Sequence, residues 1–185
     1  IQSTVADLNI YVELPHHIRG THMSRFIEIL HHYHQEALIG NLESFLKELK
    51  SKLKAEAAYV DISFPYFMKK YAPISKIASL QCYDCFFNAS FKDSFELIIG
   101  VSVPITTLCP CSKEISEYGA HNQRSKITIK ARYSEFVWLE EMVELAERAS
   151  SCEIYPLLKR VDEKYVTERA YNNPRFVEDI VREIS

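Results

Sequence analysis

Two thiols, an imidazole, amides and a guanidinium fall within seventeen residues at Leu108–Arg124, LCPCSKEISEYGAHNQR. Cys109 and Cys111 flank Pro110, which fixes its own φ and biases Cys109 away from the helical region, so both thiols are expected on a stiff turn. His121 follows ten residues after Cys111. Thiolate and imidazole are ligands that zinc prefers, and two or three protein ligands on one rigid loop leave a coordination position for water or substrate. The segment reads as a catalytic metal site.

Other arrangements of the same residue types compete with it. A structural zinc knuckle would add Cys82 and Cys85, but these stand three apart in a strand pattern, so their side chains face opposite sides of a sheet unless a bulge intervenes. Cys82, Cys85 and Cys152 read instead as buried, inert thiols. A redox pair of Cys109 and Cys111 would leave His121 and Gln123 without a role. His31 and His34 share a helix face that could bind metal, although an exposed helix surface accounts for them as well. His16, His17 and His22 lie with Arg19 and Arg25 in a segment that suits an anion or plain solvent. No glycine-rich phosphate motif is present, so any nucleotide must be held by side chains. Lys159–Tyr171 alternates in charge and, on composition, reads as a solvated loop.

The elements that must position these groups follow from periodicity. Val5, Leu8, Ile10, Val12 and Leu14 nearly alternate, predicting a strand over Thr4–Leu14. Ser24 is expected to cap a helix carrying Phe26, Ile27, Leu30 and Tyr33, and a second helix after Gly40 carries Leu42, Phe45, Leu46, Leu49 and Leu53. Ala58, Val60, Ile62 and Phe64 predict a strand. Leu80–Phe91 and Phe95–Val103 predict a hairpin turning at Lys92 and Asp93, and Ile127, Ile129 and Ala131 a further strand. Phe136–Ala149 has amphipathic helical spacing, and Pro174 suits the first turn of a last helix with Phe176, Val177, Ile180 and Val181 on its apolar side. Hairpin strands interrupted by helix pairs predict an α+β class with antiparallel sheets.

The chain of 185 residues, 47% hydrophobic, is long enough to bury a core. A formal charge of -3 and a pI near 6.2 argue against a nucleic-acid backbone as partner. No apolar run approaches the ~20 residues needed to span a bilayer. Five cysteines without a signal peptide predict a reducing, cytoplasmic setting. The strand that begins almost at Ile1, and the helix that runs to Ser185 uncapped, lead us to expect further residues at both ends.

Taken together, LCPCSKEISEYGAHNQRS, GTHMSRF at Gly20–Phe26 and LLKRVDEKYVTERAY at Leu157–Tyr171 resemble the type IB GTP cyclohydrolases. The resemblance runs from the first strand to the last helix. It implies a tunnelling fold of two tandem ββααββ modules, at residues 1–91 and 92–185, with antiparallel sheets on helix pairs, outer strands missing and assembly into a homotetramer. It implies hydrolysis of GTP to 7,8-dihydroneopterin triphosphate and formate, at the entry to tetrahydrofolate synthesis, with a divalent metal (zinc, manganese or iron). Carried over, Cys109 is a metal ligand and the residue essential to activity, His121 a ligand or proton-transfer group, and Glu163 the carboxylate beside the metal. Glu178 is expected to anchor the guanine edge, with Glu168 as the alternative, and Arg25, Arg124 and Arg160 are candidates for the triphosphate. The family continues into a strand with an ESIH-like motif, which this chain does not reach.

Overall fold

Alternation puts Ala58, Val60, Ile62 and Phe64 on one side of a strand, and all four are buried. The structure, a computed structural model, describes residues 3–33, 38–132 and 137–185. His34, and with it the pairing expected of His31 and His34, lies outside the described residues, as does Phe136. The strands are β1 (Asp7–Glu13), β2 (Ala57–Tyr71), β3 (Ala78–Phe91), β4 (Phe95–Leu108), β5 (Asn122–Arg132) and β6 (Cys152–Glu153). They form one antiparallel sheet in the order β1-β2-β3-β4-β5, with β6 paired to β4.

Among the described residues, a short 3-10 helix at Leu38–Asn41 and six α-helices complete the fold: α1 (Met23–Tyr33), α2 (Leu42–Leu53), α3 (Pro110–Ile115), α4 (Leu139–Ala149), α5 (Arg160–Asn172) and α6 (Val177–Ile184). Helices cover one face of the sheet, where Ile29, Phe45, Leu46 and Leu49 of α1 and α2 join Val60, Val101, Val103 and Val143 in one core. The other face carries exposed Tyr11, Phe67, Tyr71 and Leu80. An antiparallel sheet with helices on one side is the α+β arrangement that the periodicity predicts. Residues 92–94 turn the β3–β4 hairpin, with Phe91 opposite Phe95, so the strands on either side of this point share one sheet and one core.

Several local expectations need correction. α1 begins at Met23, so Ser24 lies inside it, and it buries Ile29 while Ile27 is exposed. Pro65 stays within β2 because β1 reaches only to Ser63, where the missing N–H has no partner to lose. β4 runs past Val103 to Leu108, carrying Pro104 between its pairings with β3 and β6. Pro174 precedes α6 rather than opening it, with Phe176 as the N-cap. Cys82 is exposed where a buried thiol was expected, while Cys85 and Cys152 are buried. The segment Lys159–Tyr171 is helix α5 rather than a solvated loop, and its Asp162 is completely buried. Asp162 accepts hydrogen bonds from the N–H of Ile74 and Ser75, from the Ser75 hydroxyl and from the Lys159 N–H, at 2.8, 2.9, 2.6 and 2.9 Å. A buried charge that is fully hydrogen-bonded can hold a helix start against a hairpin end.

Candidate active site

β4 ends in a buried leucine, and that leucine organises the site. The Leu108 N–H donates to the Ser151 hydroxyl at 3.0 Å, and its carbonyl accepts the Arg175 N–H at 3.1 Å. Its side chain packs with Cys152 and Ala170, beside Val166 and Ala120. Ser151 is itself buried, and the Asn173 amide donates to the carbonyls of Ser150 and Ser151. The last residue of β4 is thereby tied to α5 and to the segment that enters α6, which fixes the direction in which Cys109 leaves the sheet.

Cys109 takes an extended conformation, φ -72° and ψ 118°, as the N-cap of α3 with Pro110 in the first turn. This is the bias that a following proline imposes. Because α3 is only six residues long and buries none of them, periodicity gave no sign of it, and the segment reads as a loop. The cysteine-proline pair at an N-cap is the signal that marks it. The Ser112 N–H, aimed at the sulfur, holds the Cys109 thiol below the ordinary thiol range; burial opposes this, and the Cys111 N–H adds a smaller contribution. Thiolate is the form that attacks electrophiles and binds metals.

His121 returns to this point across an excursion that includes Gly119 at φ +119°, a conformation that a glycine adopts without steric cost. The Cys109 N–H donates to the His121 carbonyl at 3.2 Å. The Ser112 hydroxyl donates to the Cys109 carbonyl at 3.1 Å and accepts the His121 N–H at 3.2 Å. Cys109 and His121 are thus brought together through their main chains, and the His121 side chain is exposed.

The two glutamates reach the region by separate routes. Glu163 shares a stripe of α5 with Val166 and Ala170, the residues that pack around Leu108, and stands about 10 Å along the helix axis from Ala170 at ~1.5 Å per residue. Glu178 lies in the first turn of α6, three residues after the Arg175 that holds Leu108. Both are exposed, and among the described residues neither is gathered with Cys109 and His121 into a group that could hold a metal. Glu168 pairs with Lys164 at 3.8 Å. Arg25, Arg124, Arg160 and the group of His16, His17, His22 and Arg19 are all exposed.

As donors, a thiol held below its ordinary range and the imidazole of a residue whose main chain meets it suit a borderline-soft divalent ion. Among the described residues, no group of three or more His, Cys, Asp and Glu side chains is gathered closely enough to hold a metal. Cys82 and Cys85 face opposite sides of β3 and cannot chelate one ion together. Ser112, Ser151, Arg175 and Asp162 carry the positioning and were missed in the sequence. An acidic residue three after the N-cap is the one available signal, since Asp162 and Asp179 each accept their N-cap N–H there.

A family model described as type I GTP cyclohydrolase FolE2 matches residues 1–185. The chain belongs to the type I GTP cyclohydrolase FolE2 family. Its FolE2 relatives include GTP cyclohydrolase FolE2 of Geobacter sulfurreducens, 57% identical over 182 residues, covering 98% of this chain and 70% of the relative. That of Citrifermentans bemidjiense is 56% identical over 182 residues, 98% of this chain and 68% of the relative. That of Nitrosococcus oceani is 52% identical over 185 residues, 100% of this chain and 69% of the relative. Among the described residues of this FolE2 family member, no helix is long and apolar enough to cross a membrane.

Proposed function

We propose that this chain hydrolyses GTP to 7,8-dihydroneopterin triphosphate and formate, the first step of tetrahydrofolate biosynthesis, with the help of a divalent metal. The observation that carries this reading is a family match over all 185 residues, joined to a thiol held below its ordinary range at the end of β4. Carbon 8 of guanine is a poor electrophile, and a zinc, manganese or iron ion would supply the Lewis acidity that makes hydroxide available there at neutral pH.

Cys109, His121 and Glu163 would hold that ion, through a sulfur, a nitrogen and an oxygen donor. The Cys109 thiol, held below its ordinary range, gives up its proton to a metal more readily than an unperturbed thiol. Opening of the imidazole ring needs proton transfers, which the exposed imidazole of His121 suits. Glu178 carries a carboxylate able to accept paired N–H donors from the guanine edge, and it is favoured over Glu168, which is paired with Lys164. Arg25, Arg124 and Arg160 remain the candidates for the triphosphate.

The same proposal includes the two-module tunnelling fold, its modules at residues 1–91 and 92–185, a cytoplasmic setting and assembly as a homotetramer. The antiparallel sheet with the α1–α2 pair on one face supports the fold. Among the described residues β1 and β5 end the strand order, and free edges of this kind invite pairing with another chain.

The test is to incubate full-length protein with GTP and each of Zn²⁺, Mn²⁺ and Fe²⁺, following pterin fluorescence and formate. We expect both products in equal amounts with at least one metal, and a fall to background in Cys109→Ala. Absence of both products with every metal contradicts the proposal.

A further inference from the structure

We infer that the Ser112 hydroxyl is the positioning group that registers His121 against Cys109. The inference rests on the reading of this pair as metal ligands. Its basis is a closed ring of hydrogen bonds. The Cys109 N–H donates to the His121 carbonyl at 3.2 Å. The Ser112 hydroxyl donates its one proton to the Cys109 carbonyl at 3.1 Å and accepts the His121 N–H at 3.2 Å. One side-chain oxygen therefore touches the main chain of both residues, and the second bond stops His121 from swinging about the first.

The two ends of the stretch are held by the β4–β5 ladder, where Leu108 lies opposite Asn122, and by Ala120 packed beside Leu108, but little is fixed between them. α3 buries none of its side chains, and Ile115 and Tyr118 are 85% and 95% exposed. Lys113 is anchored on the Tyr171 carbonyl at 2.6 Å, but residues 114–118 are exposed. Residues 114–118 open at low free-energy cost, so what the ladder leaves unset between Cys109 and His121 is set at the base of the excursion. Ser112 is the side chain found there. Groups that orient metal ligands typically contribute about 10–100-fold to metal affinity, because a ligand held in place beforehand loses less freedom on binding.

The experiment uses full-length, metal-stripped protein titrated with Co²⁺ against a chromophoric chelator, reading both affinity and the thiolate-to-cobalt charge-transfer band. Wild type is compared with Ser112→Ala, Ser112→Thr and Ser116→Ala. The Ser116 hydroxyl, among the described residues, accepts a local N–H, that of Tyr118, so its loss serves as the control. We expect Ser112→Ala to weaken Co²⁺ binding about tenfold or more and to shift or diminish the thiolate band. Ser112→Thr, which keeps the hydroxyl, should bind within about threefold of wild type, as should Ser116→Ala, and metal-free melting temperatures should agree to within about 2 °C.

An affinity for Ser112→Ala within threefold of wild type overturns the inference while leaving the metal reading intact. Equal losses in the Ala and Thr variants overturn it too. A fall in metal-free melting temperature in Ser112→Ala would make Ser112 a folding residue and likewise overturn it. A wild type that binds no Co²⁺ through a thiolate overturns the metal reading, and this inference with it.

Discussion

Three cysteines of this chain have thiols pushed in opposite directions by their surroundings. Cys109 is lowered by N–H groups aimed at its sulfur. Burial raises Cys85 to about 12 and Cys152 to about 11, with the neighbouring carboxylates of Asp84 and Glu153 adding to the effect. A lower pKa means a larger thiolate fraction at neutral pH, so brief iodoacetamide treatment should label Cys109 well before Cys85 or Cys152. Its rate should level off at a lower pH than that of an ordinary thiol near 8.5. Peptide mass spectrometry over a pH series checks this, and early labelling of Cys152 would contradict it. The thiols and imidazole were legible in the sequence because chemistry restricts which residue types serve. Ser112, Ser151 and Arg175 were not, because they act through hydrogen bonds to main-chain groups that only the folded strand end brings near.

Two buried carboxylates join elements that are distant in the sequence. Burial alone would push the Asp162 carboxyl up, but hydrogen bonds from the Ser75 hydroxyl and from the N–H groups of Ser75, Lys159 and Ile74 outweigh it and hold it well below the usual carboxylate range. The unfolded chain then binds the proton more readily, so this contribution is present above the ordinary carboxylate pKa of about 3.9 and is lost as the pH falls through the lower folded value. Asp162→Asn should therefore be less stable than wild type at pH 6, with a gap that narrows toward acid pH. Urea unfolding at several pH values measures it, and a constant gap would contradict the account. Glu147 is 9% exposed and accepts from Lys70 at 2.5 Å and Tyr83 at 2.8 Å, joining α4 to β2 and β3. Glu147→Ala takes the carboxylate from the Lys70 ammonium, which keeps the Ile154 carbonyl and the Tyr155 ring, and from the buried Tyr83 hydroxyl, and should cost about 3 kcal/mol in urea unfolding; a loss below about 1 kcal/mol would refute the pairing. Helix α2 was legible because its five apolar residues keep one helical stripe. Helix α5 was not, because charges surround it and a carboxylate is among the few residues it buries.

At the scale of the molecule, the antiparallel class followed from strand alternation, whereas the merging of the strands into one sheet depends on long-range register that periodicity does not carry. The two terminal strands of the order differ in charge: Asp7 and Glu13 lie on β1, and Arg124, Lys126, Lys130 and Arg132 on β5. If edge pairing between copies builds the proposed tetramer, light scattering should give four times the chain mass at low salt and a smaller mass as salt screens these charges. A monomer at all salt concentrations would contradict it. The central claim is that GTP is hydrolysed at a metal centred on Cys109. An anomalous-scattering map of crystals of the active, metal-loaded protein tests it most directly. The account predicts a peak about 2.3 Å from the Cys109 Sγ, with the side chains of His121 and Glu163 turned toward it. A peak at Cys82 or Cys85, or an active protein with none at Cys109, would contradict it.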